Sequence, residues 1–158
     1  RLTPRSQERL VQYGVRTVID LRRTWEVRSA PNLFADSIRL RYHHQNMLGD
    51  DPFVQTEVDA EATGRLGALY GLWLDRVQGQ VGKTLATLVS PSGPPAVFGC
   101  SAGKDRTGII SALLLSLAGV PSDTIASDYA LTAPHLFVAY VSETTRTDLP
   151  ATYSVEDY

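Results

Sequence analysis

The chain has 158 residues, of which 43% are hydrophobic and 20% charged, and its formal net charge at pH 7 is −2. This length and composition predict one globular domain over residues 1–158 with a substantial hydrophobic core, and they exclude a disordered chain. The small negative charge gives no general attraction for nucleic acid or for an anionic membrane, so any recognition of phosphate must be local.

The first part of the chain predicts one helix, two strands and a loop. Residues 6–13 form a short amphipathic pattern and predict a helix. Residues 15–21 are β-branched and mostly apolar, which is typical of a buried parallel strand. Residues 22–36 carry charges and a proline and predict a loop. Residues 38–43 alternate apolar and polar side chains, as a half-exposed outer strand does.

The middle of the chain predicts a surface segment followed by helices. Residues 47–63 are rich in acidic and turn-forming residues and predict a mobile segment. In residues 65–88 the apolar side chains recur every three or four positions, which predicts one long helix or two helices broken near Gly79 and Gly82.

The last part of the chain predicts a strand, a loop and two helices, and then a loosely ordered tail over residues 144–158. Residues 96–99 form the strand, and the helices cover residues 106–118 and 122–131. Strands that alternate with helices predict an α/β fold with a mostly parallel central sheet flanked by helices.

The loop begins at Cys100, the only cysteine of the chain, and reads Cys-Ser-Ala-Gly-Lys-Asp-Arg-Thr-Gly. A strand, a loop of small residues and a helix bring backbone N–H groups around an anion at the start of the helix. The guanidinium of Arg106 presents a rigid fork of donors that suits two phosphate oxygens. The pattern predicts a phosphate site formed by Ser101, Ala102, Gly103, Lys104, Asp105, Arg106 and Thr107.

The same surroundings act on the sulfur of Cys100. Inward N–H groups, a helix start and the charges of Lys104 and Arg106 favour the thiolate over the thiol. A thiolate attacks a bound phosphate monoester to give a phosphocysteine, which water then hydrolyses. The hydroxyl of Thr107 is predicted to donate a hydrogen bond to the sulfur and to help its departure in the second step.

This run resembles the phosphate loop of the cysteine-dependent phosphatases, with a Cys-x5-Arg core. Its Gly-Lys-Asp-Arg-Thr-Gly form is similar to that of the bacterial tyrosine/serine, or atypical dual-specificity, protein phosphatases. Further segments of the chain agree with that subgroup in the expected order: residues 2–4, 14–22 and 128–131. The resemblance implies a phosphotyrosine-phosphatase-like three-layer fold, and a chain that lacks part of the family's N- and C-terminal extensions.

The resemblance also implies an activity: hydrolysis of phosphotyrosine, phosphoserine/threonine or phosphoinositide monoesters, with no metal and no cofactor. The sequence departs from the family in one place. Gly99 stands immediately before Cys100, where the family usually has a histidine that helps to hold the loop and the thiolate. A catalytically weakened pseudophosphatase that binds phosphate or a phosphoprotein is therefore the alternative. A sulfurtransferase or arsenate reductase is less favoured, because an isolated cysteine has no resolving partner.

Two aspartates compete for the role of general acid, because the leaving oxygen needs a proton that a thiolate cannot supply. Asp105 lies within the loop and is the favoured candidate; its competing interpretation is a carboxylate that only orients Lys104 or Arg106. Asp20 ends a predicted strand, and parallel strands deliver their carboxyl ends to the same rim of a sheet. The competing interpretation of Asp20 is a structural partner of Arg22 or Arg23.

The cellular setting is predicted only from absences in the sequence. A single cysteine cannot form an internal disulfide, which is consistent with the cytoplasm; secretion into a host cell stays open. No run approaches the roughly 18 consecutive apolar residues that a bilayer span requires, so no stable membrane insertion is expected. The predicted partner is a phosphorylated protein or phosphoinositide substrate and not nucleic acid. The sequence indicates no oligomeric state.

Overall fold

The structure is a computed structural model that describes residues 3–50 and 66–136. The chain divides into two compact units, Arg1–Ile110 and Ser111–Tyr158. The single domain over residues 1–158 stays a prediction. Helices and strands follow one another in this order: α1 Pro4–Gln12, β1 Thr17–Asp20, α2 Thr24–Ser29, β2 Arg41–His44, α3 Leu66–Arg76, α4 Gln78–Val89, β3 Ala96–Gly99, α5 Asp105–Leu117 and α6 Ser122–Ala130.

The first unit contains a three-stranded parallel sheet in the order β2-β1-β3. Its register pairs Asp20 at the end of β1 with His44 on one side and Gly99 on the other. All four residues of β1 are buried, as the apolar pattern predicted for a central parallel strand. The predicted α/β class with a parallel sheet and helices is confirmed.

An apolar cluster packs beneath α1 and the first strands. Its buried members are Val15, Val18, Phe34 and Leu40, and the partly buried Leu10, Val11 and Tyr42 pack against it. The strand predicted over residues 38–43 begins only at Arg41. Ile38 is fully exposed, so its predicted place in the alternating pattern is wrong.

The predicted loop over residues 22–36 is wrong in part, because it contains α2. The helix starts where two carboxylates satisfy free N–H groups. Glu26 Oε2 accepts a hydrogen bond from the N–H of Arg23 at 2.7 Å, and Asp50 Oδ1 accepts one from Thr24 at 3.3 Å. A side-chain acceptor at a helix start replaces a backbone partner that the first turn lacks.

The mobile segment predicted over residues 47–63 is wrong at its start. Met47 and Leu48 are buried, with 0% and 1% of their surface exposed. The rest of that prediction from residue 51, and the tail over residues 144–158, lie outside the described residues.

The helical pattern predicted over residues 65–88 corresponds to two helices, α3 and α4, and residue 65 lies outside the described residues. The break falls at Val77, with φ −113° and ψ 25°, and both Gly79 and Gly82 lie within α4. A helix tolerates a glycine at a cost of about 1 kcal/mol relative to alanine, so the glycines do not end it. Within residues 3–50 and 66–136, no helix combines the length and the apolar character needed to cross a bilayer.

Candidate active site

The loop predicted to bind phosphate lies between β3 and α5, at the carboxyl end of a strand of the parallel sheet. Gly103 has φ +74°, a left-handed conformation that glycine adopts without the steric cost of a side chain. Ser101, Ala102 and Gly103 are exposed, so this part of the loop faces solvent. Gly103 lies two residues before Asp105, the first residue of α5.

The two ends of the loop are joined through Thr107. The backbone N–H of Cys100 donates to Thr107 Oγ1 at 3.0 Å, and the Thr107 hydroxyl donates to Cys100 Sγ at 3.3 Å. A hydrogen bond donated to sulfur stabilises negative charge on it. The predicted contact between Thr107 and the thiol is therefore present, in the first turn of α5.

Arg106 is held by a carboxylate from a distant part of the chain. Its Nη1 lies 2.5 Å from Glu26 Oε2 and its Nη2 lies 3.0 Å from Glu26 Oε1. Little of either side chain is exposed, 9% for Arg106 and 11% for Glu26. Burial would raise the pKa of Glu26, but hydrogen bonds from Arg106 and from the N–H of Arg23 outweigh it and lower that pKa. The carboxylate is thus ionised against the guanidinium and fixes its plane.

Asp105 and Lys104 lie side by side at the start of α5. Lys104 Nζ is 3.7 Å from Asp105 Oδ1, and the hydroxyl of Tyr70 on α3 donates a hydrogen bond to the same oxygen. The side chain of Lys104 is buried, whereas 30% of the Asp105 side chain is exposed. Asp105 is therefore the more accessible of the two charged groups.

The competing carboxylate, Asp20, is engaged elsewhere. Arg22 forms a bidentate contact with it, with Nη2 at 2.7 Å from Oδ2 and Nε at 2.9 Å from Oδ1. Asn32 and Tyr42 donate to Oδ2 at 2.9 and 3.1 Å. Burial would raise the pKa of Asp20, but the hydrogen bonds from Arg22 and Asn32 and the charge of Arg22 lower it to about 2.

Comparison with known proteins identifies the family of this chain. A family model described as the tyrosine phosphatase family matches residues 1–155. The chain belongs to the tyrosine phosphatase family. The resemblance predicted from the loop motif is confirmed at that level.

One relative within the tyrosine phosphatase family is a tyrosine-protein phosphatase from Nostoc commune. It is 35% identical over 136 residues, which make up 86% of this chain and 46% of the relative. The chain thus spans about half the length of that protein.

For this tyrosine phosphatase family member, the structure joins Cys100 to Thr107 and Lys104 to Asp105, whereas the carboxylate of Asp20 is bound by Arg22 and other residues outside the loop. It also adds two residues that the sequence analysis missed, Glu26 and Tyr70. A glutamate three residues after a helix cap is a local sign of a helix start, and would have indicated α2. Nothing local in the sequence joins Tyr70 to Asp105.

Proposed function

We propose that the chain hydrolyses phosphate monoesters through a phosphocysteine. The observation that carries this proposal is the Cys100 loop closed by Thr107, with Arg106 oriented beside it by Glu26. An oriented guanidinium and a reactive sulfur on one short loop suit a tetrahedral dianion better than any neutral substrate.

The proposed reaction has two steps. The Cys100 thiolate attacks phosphorus, so that a P–S bond forms while the P–O bond to the leaving group breaks, and Asp105 gives its proton to the departing oxygen. A water molecule then attacks phosphorus, loses a proton to the Asp105 carboxylate and displaces the thiolate, which releases inorganic phosphate. Arg106 binds the equatorial oxygens, and the Thr107 hydroxyl stabilises the departing sulfur.

The assignment of the acid to Asp105 is supported by the contrast with Asp20. A carboxylate with a pKa near 2 carries almost no proton at neutral pH, and both oxygens of Asp20 are occupied by donors. Asp105 is partly exposed and is the first residue of α5, next to Arg106. An acid needs access to the leaving oxygen, and Asp105 meets that need better.

The proposed substrate is phosphotyrosine in a protein, because the Nostoc commune relative is named a tyrosine-protein phosphatase. Phosphoserine/threonine and phosphoinositide monoesters remain within the proposed range on the loop motif, and no cofactor or metal takes part in the steps above. The cytoplasm is the proposed location, on the support of the lone cysteine.

A second candidate function rests on Gly99. A phosphate-binding pseudophosphatase would keep the loop and lose turnover, since the family's usual histidine is absent. A Cβ added at Gly99 would meet nothing within 4 Å, and the backbone there is not in the left-handed region. The Cβ of the variant Gly99→His therefore meets no steric clash, and the turnover of this variant measures how much activity the absence of the histidine costs.

The deciding experiment is turnover of an activated aryl phosphate in the presence of a chelator, for wild type, Cys100→Ser and Gly99→His. The proposal expects metal-independent turnover that Cys100→Ser loses, and a phosphoenzyme visible in the intact mass after acid quenching. Turnover that survives in Cys100→Ser would overturn the cysteine mechanism. Binding of orthovanadate or phosphotyrosine with no turnover would select the pseudophosphatase, and a gain in Gly99→His would trace that state to the glycine.

A further inference from the structure

Tyr70 connects α3 to the carboxylate that follows the phosphate loop. Its hydroxyl donates to Asp105 Oδ1, and Lys104 Nζ lies 3.7 Å from the same oxygen. In the part of the chain that the structure describes, no hydrogen bond reaches Asp105 Oδ2. The two oxygens of one carboxyl group therefore stand in different surroundings.

The ring of Tyr70 is held in place by the core. It packs against Trp73 with ring centroids 5.4 Å apart and an interplanar angle of 38°. Trp73 lies three residues later on the same helical face, and only 2% of its surface is exposed. A tilted aromatic pair of this kind stabilises the ring position, so the hydroxyl has a fixed point from which to reach Asp105.

The two sides of Asp105 differ in how well they accept a proton. A proton on Oδ1 would face the hydroxyl donor of Tyr70 and lie beside the oxygen that is nearest to the charge of Lys104, whereas Tyr70 donates to Oδ1 and not to Oδ2. Repulsion from a cation and competition with a donor both disfavour the first arrangement. Oδ2 is thus the oxygen that carries the proton when Asp105 is neutral.

We propose that Tyr70 is a positioning residue that makes Oδ2 of Asp105 the proton-delivering oxygen and stabilises the carboxylate left behind. This inference rests on the proposed function and concerns its first step. As the P–O bond breaks, the Oδ2–H bond breaks too, the proton moves to the leaving oxygen and the charge of Asp105 becomes negative. The hydrogen bond from Tyr70 remains in place throughout.

The contribution of Tyr70 grows during the reaction. A hydrogen bond to an ionised carboxylate is roughly twice as strong as one to a neutral acid. Because only interactions that strengthen towards the transition state accelerate a step, this bond assists proton delivery and not substrate binding. Its effect should therefore appear only where the leaving group needs a proton.

The test compares kcat/KM of wild type and Tyr70→Phe on two aryl phosphates, one with an activated and one with a poor leaving group. This parameter reports the steps up to the first irreversible one, so slow hydrolysis of the phosphocysteine does not mask the effect. We expect Tyr70→Phe to lose about tenfold on the poor leaving group, from one hydrogen bond to a charged group, and less than about twofold on the activated one.

Two further variants make the result specific. Tyr42→Phe removes a matched hydroxyl from Asp20, outside the loop, and should leave the ratio between the two substrates unchanged. In the Asp105→Asn background, Tyr70→Phe should cause no additional selective loss on the poor leaving group, because residues that act through one group are not additive. Phenylalanine keeps the ring against Trp73, and circular dichroism checks that the variant is folded.

The outcomes separate this inference from the function on which it rests. No turnover of the activated substrate by wild type, or turnover that survives in Cys100→Ser, overturns both. Cysteine-dependent turnover with an equal loss on both substrates in Tyr70→Phe, or with an additive loss in the double variant, overturns the role of Tyr70 alone. A selective loss that disappears in the Asp105→Asn background supports it.

Discussion

Two arginine–carboxylate pairs with little exposed surface lie in the described part of the first unit, and they join different parts of the chain. Arg22 and Asp20 are two residues apart at the end of β1, where Asn32 and Tyr42 also bind the carboxylate. Arg106 and Glu26 are 80 residues apart and connect α2 to the phosphate loop. The first pair completes a local network, whereas the second joins a helix to the loop that we propose to be catalytic.

The surroundings of the two carboxylates show why one ion pair stabilises the fold and the other positions a residue of the loop. The donors that bind Asp20 are Arg22, Asn32 and Tyr42, which lie outside the phosphate loop. The carboxylate is 2% exposed, so these hydrogen bonds stabilise the fold. Glu26 holds a guanidinium whose neighbour, Asp105, is accessible to solvent. Removal of the first carboxylate should therefore be measured mainly as stability, and removal of the second mainly as turnover.

The largest expected effect is the loss of stability in Asp20→Ala. The change leaves the partly buried Arg22 without the anion of the buried Asp20, and breaking a buried pair in this way costs roughly 3–5 kcal/mol. Urea denaturation should show that decrease in the free energy of unfolding, while Asp36→Ala, which removes an exposed aspartate, should stay within about 0.5 kcal/mol. A stable Asp20→Ala with lost turnover would reverse the assignment of the two pairs.

The next effect is the loss of turnover in Glu26→Gln. The amide keeps the shape of the side chain but removes the charge that fixes Arg106, so kcat/KM should fall about tenfold to a hundredfold, as expected for a hydrogen bond between charged groups. The matched control is Glu8→Gln, which breaks an exposed pair with Arg39 and should leave turnover unchanged. Equal kinetics for wild type and Glu26→Gln would contradict the positioning of Arg106.

The smallest effect is the acid dependence of the Asp20 network. Its pKa is lowered from 3.8 to about 2, so the stabilisation is fully present above the unfolded value of 3.8 and is lost as the pH falls towards 2. The shift corresponds to about 2 kcal/mol. The stability difference between wild type and Asp20→Asn should shrink by that amount between pH 5 and pH 2. A constant difference would mean that Asp20 is not ionised in the network.

The parts of the fold that the sequence predicted correctly are those set by local patterns. The apolar run of β1, the strand β3 and the motif from Cys100 to Thr107 each depend on neighbouring residues. The contact between Thr107 and the sulfur was predicted because a helix start brings nearby residues together. These features require no knowledge of distant segments.

The parts that were not predicted depend on long-range packing. Glu26 reaches Arg106 only because α2 forms and the sheet brings the carboxyl ends of β1 and β3 together. Tyr70 reaches Asp105 from α3, 35 residues earlier. Charges and a proline in residues 22–36 suggested a loop, but the segment contains a helix of six residues whose start is stabilised by side-chain carboxylates.

Glu26 supplies the negative charge beside Arg106, and it also constrains the length of the segment that precedes it. Its carboxylate accepts the N–H of Arg23 at the start of α2 and also binds Arg106, so the segment from Asp20 to Glu26 has one end in the sheet and the other on the loop. Trp25 within it is 60% exposed. Insertion of a single residue would rotate Glu26 by about 100° around the helix axis and separate it from Arg106. The distance between the sheet and the loop thus fixes the number of residues in this segment.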